Sequence, residues 1–254
     1  QDFAEDTFRT LTAVDSAIVV IDVAKGVETQ TEKLVKVCRM RQTPIIVFIN
    51  KLDREGKDGF ELLDEIESKL GLMVKPLSWP VGMGQLFQGV YNLYEKKLVL
   101  FRPHSKQSSE EIIEITDLDS DELDKQVGEK AADLLREEVM MVEEVYPEFD
   151  KDDYLNGDIS PVFFGSAVNN FGVKEMLDCF VEIAPTPLTR ETEQREIDPY
   201  EPKFSGFVFK IHANMDPKHR DRIAFMRICS GIFKRNTNYL HVRQGKKMKF
   251  PNPT

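Results

Sequence analysis

The stretch IIVFINKLD, residues 45–53, decides the fold of this 254-residue chain. Its first five residues are all apolar, as in strands that are buried on both faces of a parallel sheet. The run then ends in the sequence Asn50-Lys51-Leu52-Asp53. In open α/β sheets, ligands bind beyond the carboxyl ends of the strands. The polar side chains at this strand end are therefore candidates for a binding site.

Similar runs lie on both sides of this stretch. Residues 16–23 (SAIVVIDV) and 159–164 (ISPVFF) are mostly apolar and of strand length, which predicts two more strands buried on both faces. Apolar residues recur at helical spacing in residues 29–40, 60–70 and 173–183. This alternation of strand and helix patterns predicts an α/β fold with a mostly parallel sheet and right-handed crossovers.

The distance between the strand ends predicts an insertion. Asp53 and the sequence Gly165-Ser166-Ala167 are about 112 positions apart, far too many for one strand–helix connection. Short β-like pieces in residues 81–116 and one long acidic helix in residues 119–145 predict an inserted α+β subdomain. After residue 203 only strand patterns follow, which predicts the start of an all-β barrel. The predicted divisions are a first part of the α/β domain (1–80), the inserted subdomain (81–158), the rest of the α/β domain (159–190), a linker (191–203) and a partial β-barrel domain (204–254).

Charge is divided unevenly along the chain. The net charge is −10, yet residues 203–254 hold 12 basic and 2 acidic residues, which leaves −20 on the rest. Such a basic segment predicts a surface that faces RNA phosphates. The alternatives are a solvated strand surface or pairing with the acidic remainder. The residues predicted to face RNA are Lys218, Arg220, Arg222, Lys246, Lys247 and Lys249.

Composition excludes several classes of protein. The three cysteines cannot form a disulfide framework, and their apolar surroundings predict buried thiols in a reducing, cytoplasmic compartment. Apolar runs stay well short of the roughly 18 residues of a transmembrane helix, so no membrane partner is expected. The four histidines have no metal-like spacing, and we predict no metal ligands.

The two polar strand ends suit a guanine base. The carboxylate of Asp53 only accepts hydrogen bonds, so it can pair with both N1–H and the N2 amine of guanine, whereas adenine lacks that amine. The Asn50 amide can reach the opposite base edge and tie neighbouring loops together, and the Lys51 stem can lie along a flat base. The small residues Ser166 and Ala167 allow a backbone N–H to approach a base carbonyl. The alternative is a helix cap after a strand.

At these residues the chain resembles the G domain of the translational GTPases, over essentially its whole length. The stretches WPVGMG (79–84), FQGVY (87–91) and FSGFVFKIHANMDPKHRDR (204–222) resemble the peptide chain release factor 3 family in particular. The resemblance implies a GTP hydrolase of bacterial translation termination that promotes recycling of codon-reading release factors from the ribosome. It implies GTP or GDP with Mg²⁺ as ligands of the complete protein. The residues it assigns to nucleotide binding are Asn50, Lys51, Asp53, Ser166 and Ala167.

The chain also departs from that family. It contains no G-x-x-x-x-G-K-[ST] phosphate loop and no switch segment with a magnesium-binding threonine. We therefore expect a fragment that lacks the phosphate loop and the C-terminal domain, carries no catalytic residue, is inactive as a GTPase and holds no nucleotide when isolated. The alternatives are another translational GTPase such as elongation factor G, or a non-catalytic ribosome-binding protein.

Overall fold

The computed structural model describes residues 4–100, 111–213 and 222–250. Its helices are α1 (Ala4–Leu11), α2 (Thr29–Met40), α3 (Gly59–Leu70), α4 (Asp121–Val127), α5 (Glu129–Val145), α6 (Lys151–Asn156) and α7 (Val173–Ile183). Its strands are β1 (Ala17–Asp22), β2 (Ile45–Asn50), β3 (Met73–Pro76), β4 (Ser78–Val81), β5 (Gly89–Asn92), β6 (Lys97–Leu100), β7 (Glu111–Glu114), β8 (Ile159–Phe164), β9 (Arg190–Glu191), β10 (Glu196–Ile197), β11 (Ser205–Ala213), β12 (Arg222–Ser230), β13 (Asn238–His241) and β14 (Lys246–Lys249).

The chain forms two compact units. One consists of residues 14–185, and we call it the α/β unit; the other consists of residues 1–13 with residues 186–254, and we call it the β unit. Helix α1 belongs to the β unit, where Asp6 forms an ion pair with Lys210 of β11 at 3.4 Å. The domain boundaries drawn from the sequence stay a prediction.

A parallel sheet of order β1-β2-β8-β3 forms the centre of the α/β unit, as the strand and helix patterns predict. Strand β8 is buried along its whole length, and β2 is buried up to Asn50. Helices α6 and α7 cover one side of the sheet, where Tyr154, Met176 and Cys179 pack with Phe163 of β8. Burial of β2 and β8 fixes the strand ends that carry the candidate site.

Strand β1 differs from the prediction of burial on both faces. Ile18 is 37% exposed and Val20 is 56% exposed. Ile18 and Val20 lie two positions apart and share one face of the strand, so this face is partly open to solvent. The strand also lies at an edge, since β1 pairs only with β2 in the part of the chain that the structure describes. An apolar run of strand length therefore predicts a strand here but not its place at an edge.

The insertion is an antiparallel sheet of order β4-β5-β6-β7 followed by helices, and it joins the parallel sheet almost without a linker. Leu77 alone separates β3 from β4. Its N–H donates to the carbonyl of Val162 on β8 at 2.9 Å, and its own carbonyl accepts the N–H of Leu93 at 2.9 Å. The hydroxyl of Ser78 accepts the N–H of Phe164 at 2.9 Å. These bonds fasten the start of the insertion to β8.

The prediction of one long acidic helix in residues 119–145 is wrong, because two helices, α4 and α5, occupy this range. Gly128 separates α4 from α5 with φ 87° and ψ 145°, a conformation that is essentially restricted to glycine. Arg136 of α5 reaches back across this break, and its guanidinium contacts the Asp124 carboxylate of α4 at 2.6 and 3.1 Å. The ion pair between Arg136 and Asp124 thus holds the two helices together.

The β unit is built from three short antiparallel pairs, β9 with β10, β11 with β12 and β13 with β14. An aromatic cluster fills the space beside them, with Phe204 and Tyr239 ring centroids 4.5 Å apart and Phe233 stacked on Tyr239 at 5.2 Å. The predicted strands after residue 203 are thereby confirmed. Cys38, Cys179 and Cys229 are all reduced and buried, as predicted for buried thiols.

Candidate functional site

Asn50, Lys51 and Asp53 lie at the carboxyl end of β2. Asn50 is the last residue of the strand, and Lys51 turns the chain with a left-handed φ of 73°. Between them and Asp53 the side chain of Leu52 is fully buried, and its N–H donates to the carbonyl of Gly165 at 3.2 Å. The loop is therefore held from beneath, and its polar side chains occupy defined positions.

The Asn50 side chain joins the two strand ends. Its Oδ1 atom accepts the N–H of Lys51 at 2.8 Å and the N–H of Ala167 at 2.8 Å. Because both partners are donors, the oxygen must face them, and the orientation of the amide is fixed. The two hydrogens on Nδ2 make no hydrogen bond to the described residues, so they can donate to a ligand.

Ser166 and Asp53 form a second link between the same strand ends. The fully buried Ser166 hydroxyl donates to Oδ1 of Asp53 at 2.5 Å and accepts from the Asn169 amide at 2.9 Å. This bond orients the carboxylate. The Oδ2 atom of Asp53 makes no hydrogen bond within the described part of the chain and can accept from a ligand.

Gly165 allows this close approach of the two loops. A Cβ atom at this position would lie 2.3 Å from the carbonyl oxygen of Phe171 and 2.8 Å from the ring of Phe48. Both distances are far below ordinary contact, and one of the obstacles is backbone. Any side chain at position 165 would therefore push the Ser166 loop away from β2.

An acidic residue that the sequence did not single out also belongs to this group. Oδ2 of Asp22, the last residue of β1, accepts from the Lys51 ammonium at 2.6 Å. This hydrogen bond lowers the pKa of Asp22, and the N–H groups of Ala24 and Lys25 add to the effect. Asp22 is directly opposite Asn50 in the β1–β2 register. Its place at the end of the neighbouring predicted strand was the signal that could have identified it.

The structure therefore brings together every residue that the sequence predicted for the base site: Asn50, Lys51, Asp53, Ser166 and Ala167. Within residues 4–100, 111–213 and 222–250, no three His, Cys, Asp or Glu side chains are grouped as metal ligands.

The residues predicted to face RNA lie partly outside the described residues, where Lys218 and Arg220 fall. Arg222 begins β12 and is exposed. Strand β14 is exposed along its whole length and carries the other three, Lys246, Lys247 and Lys249. Two of these lysines point to one side of the strand pair and one to the other, since neighbouring residues of a strand alternate.

A cavity in the β unit has no part in this site. It has a volume of about 920 Å³ and is lined by residues that include Arg190, Phe204, Phe207 and Tyr239. No residue of the two strand ends contributes to its walls.

Comparison with known proteins assigns both units. Residues 1–186 match the model of the elongation factor Tu GTP binding domain, and residues 203–254 match that of elongation factor G domain 2. A crystal structure of a protein from Thermus thermophilus matches with a TM-score of 0.70 at 22% identity, which supports the fold alone. The match covers 98% of this chain and 36% of that one, so this chain spans about a third of the solved protein.

None of the helices in the described ranges has both the length and the apolar character needed to cross a bilayer.

The family match covers the strand ends that carry Asn50, Asp53 and Ser166. The fold prediction is confirmed by it, since an α/β G domain with a parallel sheet precedes a β-rich domain. The chain belongs to the translational GTPase family that is defined by the elongation factor Tu GTP binding domain.

Proposed function

We propose that the two strand ends recognise the guanine base of GTP or GDP. The observation that carries this proposal is a pair of cross-links between loops more than 110 residues apart. Asn50 bonds to Ala167, and Ser166 bonds to Asp53. These bonds leave one hydrogen-bonding face of the Asn50 amide and one oxygen of Asp53 free for a ligand.

The free atoms complement guanine. Oδ2 of Asp53 can accept from N1–H and N2–H₂, and the Asn50 Nδ2 group can donate to the N7 and O6 acceptors on the other edge. Adenine would place its N1 acceptor against the carboxylate and would offer no N2 amine. An unsatisfied charged acceptor costs about 1–3 kcal/mol, which favours guanine over adenine by roughly 5- to 160-fold.

Guanosine is the sharpest probe of this proposal, because it contains the base without phosphates. We expect guanosine to shift amide NMR signals of Asn50, Asp53 and Ala167, and adenosine to leave them unchanged. Equal shifts with both nucleosides, or none with either, would overturn the base-recognition proposal.

We further propose that the isolated chain binds GDP more weakly than micromolar. Backbone amides and a lysine of a phosphate loop usually hold the phosphates, and the 254 residues contain no such loop. Calorimetry with GDP and Mg²⁺ tests this. A micromolar or tighter dissociation constant would show that other residues of this chain bind the phosphates.

For the complete protein we propose a role in bacterial translation termination, in which GTP hydrolysis promotes recycling of codon-reading release factors from the ribosome. The support is the resemblance of residues 79–84, 87–91 and 204–222 to the release factor 3 family, together with the family match. The chain contributes base recognition and, through Arg222 and β14, a basic surface for ribosomal RNA.

The match of residues 203–254 to elongation factor G domain 2 favours a second candidate, an elongation factor of the G type. A pair of assays with the complete protein separates the two. The first measures GTP-dependent dissociation of a codon-reading release factor from ribosomes, and the second measures elongation of a peptide chain on ribosomes. We expect activity in the first alone. Activity in the second alone would favour the alternative, and ribosome binding without hydrolysis would favour a non-catalytic protein.

A further inference from the structure

We propose that Asp22 is a positioning residue, whose carboxylate holds the side chain of Lys51 in place within the base site. This inference rests on the proposed recognition of guanine at the same site. It assigns a role to a strand, β1, from which the sequence predicted no site residue. The link is the contact between Lys51 Nζ and Asp22 Oδ2 at 2.6 Å.

The two oxygens of Asp22 have separate partners. Oδ1 accepts from the N–H groups of Ala24 at 2.9 Å and Lys25 at 3.3 Å, and so closes the turn that follows β1. Oδ2 receives the Lys51 ammonium. The turn and the ion pair can therefore be tested independently, because an asparagine keeps an oxygen for the turn and loses the charge.

Lys51 needs such an anchor. Its backbone lies in the left-handed region, which non-glycine residues rarely adopt, and its long side chain would otherwise move among many rotamers. The Asn50 amide fixes the backbone through the Lys51 N–H, and Asp22 fixes the far end of the side chain. The stem between these two points is consequently held in place before a base arrives.

Exposure of the pair fits this role. The Asp22 side chain is 18% exposed, whereas the Lys51 side chain is 41% exposed. The carboxylate is thus the more buried partner of the pair, and the Lys51 side chain keeps exposed surface that a ligand can contact. By contrast, Lys25 and Glu28 in the same loop form a longer, 3.4 Å pair in which both side chains are more than half exposed. That pair provides a matched control.

The experiment measures guanosine affinity by NMR titration for the parent chain, Asp22→Asn, Lys51→Met and the double variant. A neutral nucleoside is used because the affinity of a phosphate-bearing nucleotide would change with the net charge of the variant even if the contacts to the base stayed the same. We expect each single variant to bind guanosine about three- to fivefold more weakly, as for a partly exposed ion pair. The double variant should be no weaker than the weaker single one, since both changes remove the same interaction.

A second readout is spectroscopic. The ¹⁵Nζ signal of Lys51 should be visible in the parent chain, because the ion pair slows proton exchange, and should disappear in Asp22→Asn. Glu28→Gln should leave both the signal and the affinity unchanged. Parent affinity in Asp22→Asn, or fully additive losses in the double variant, would overturn the positioning role alone. Absence of guanosine binding in the parent would overturn the proposed function, and the positioning role with it.

Discussion

The indole Nε1 of Trp79 donates a hydrogen bond to Oε2 of Glu138 at 2.7 Å. Trp79 lies on β4 near the start of the insertion and is 1% exposed, and its ring packs against Phe60 of α3 and Phe164 of β8. Glu138 lies on α5. One aromatic side chain therefore connects the insertion, its long helix and the parallel sheet, and it is the only tryptophan in the chain.

The first prediction concerns the charge of Glu138. Burial raises the pKa of Glu138, although the indole hydrogen bond opposes the shift. A carboxyl with a raised pKa stabilises the fold fully below its ordinary pKa, and this stability is lost as the pH rises through the raised value. Glu138→Gln keeps an acceptor and has no charge. We expect it to raise the free energy of unfolding at pH 7 by about 0.5–1 kcal/mol, and by little at pH 4.

Urea unfolding at the two pH values, followed by the fluorescence of Trp79, measures this difference. Glu144→Gln is the control, since Glu144 is an exposed carboxylate on the same helix. A Glu138→Gln variant that is less stable than the parent at pH 7 would show that the charged hydrogen bond outweighs the cost of burial.

The second prediction concerns base preference. In Asp53→Asn the new side chain can keep its oxygen on the Ser166 hydroxyl, which directs the amide nitrogen toward the ligand. An NH₂ group opposes the N2 amine of guanine but donates to the C2 carbonyl of xanthine. We expect the preference for guanosine over xanthosine to reverse, with about a tenfold or greater loss for guanosine.

Titrations of both nucleosides, monitored by NMR, give the ratio of affinities. Asp58→Asn removes the same charge nearby, and asparagine caps α3 as well as the aspartate does. That control should keep the guanosine preference. If Asp53→Asn keeps it too, the carboxylate does not read the base.

The third prediction concerns the exposed strand β14. Changing Lys246, Lys247 and Lys249 together to glutamate should weaken binding to ribosomes. It should also flatten the salt dependence, by about 0.9 in the log–log slope for each phosphate that the variant no longer neutralises. Guanosine binding should not change. Binding as a function of KCl concentration, measured by sedimentation with purified ribosomes, provides both the affinity and the slope.

The matched control is Lys33→Glu with Lys36→Glu on the exposed face of α2 in the α/β unit. These changes should leave the slope nearly unaltered. Equal effects of the two sets would point to net charge as the cause, and an unchanged slope for the β14 variant would remove this strand from the RNA-facing surface.

The fourth prediction compares two glycines. A Cβ atom at Gly128 or at Gly157 would meet no atom within 4 Å, so only backbone strain separates alanine from glycine there. Gly157 lies in the left-handed helical region with φ 80° and ψ 16°, whereas Gly128 has φ 87° and ψ 145°. We expect Gly128→Ala to lower the free energy of unfolding by about 2–3 kcal/mol and Gly157→Ala by about 1 kcal/mol. Urea unfolding measures both free energies. Equal losses of stability would contradict the argument that the backbone conformation at Gly128, between α4 and α5, requires glycine more strictly than that at Gly157.

Local patterns in the sequence were enough for the elements that depend on local preference. The helical spacing predicts 29–40 and 173–183, and α2 and α7 have these bounds. The pattern misses β3, which has only four residues and includes a lysine. It also runs one helix through residue 128, because a single glycine lowers helix propensity without showing which φ it adopts.

The candidate site shows the same limit. Strand ends and residue chemistry were sufficient to select Asn50, Asp53 and Ser166. The sequence could not show that Ser166 donates to Asp53, since that contact spans 113 positions and depends on the β2–β8 pairing. Asp22 was missed for a related reason, because its role comes from register with Asn50 rather than from any motif of its own.

The single-residue junction at Leu77 leaves no flexible linker between the parallel sheet and the insertion. The hydrogen bonds of Leu77 to Val162 and Leu93, and the bond from Phe164 to Ser78, restrict the independent motion that a linker would allow. The start of the insertion is thus fixed to β8 at the residues directly before the Gly165-Ser166 turn. An insertion taken from another protein would keep this attachment only if it reproduced these hydrogen bonds, whatever its own stability.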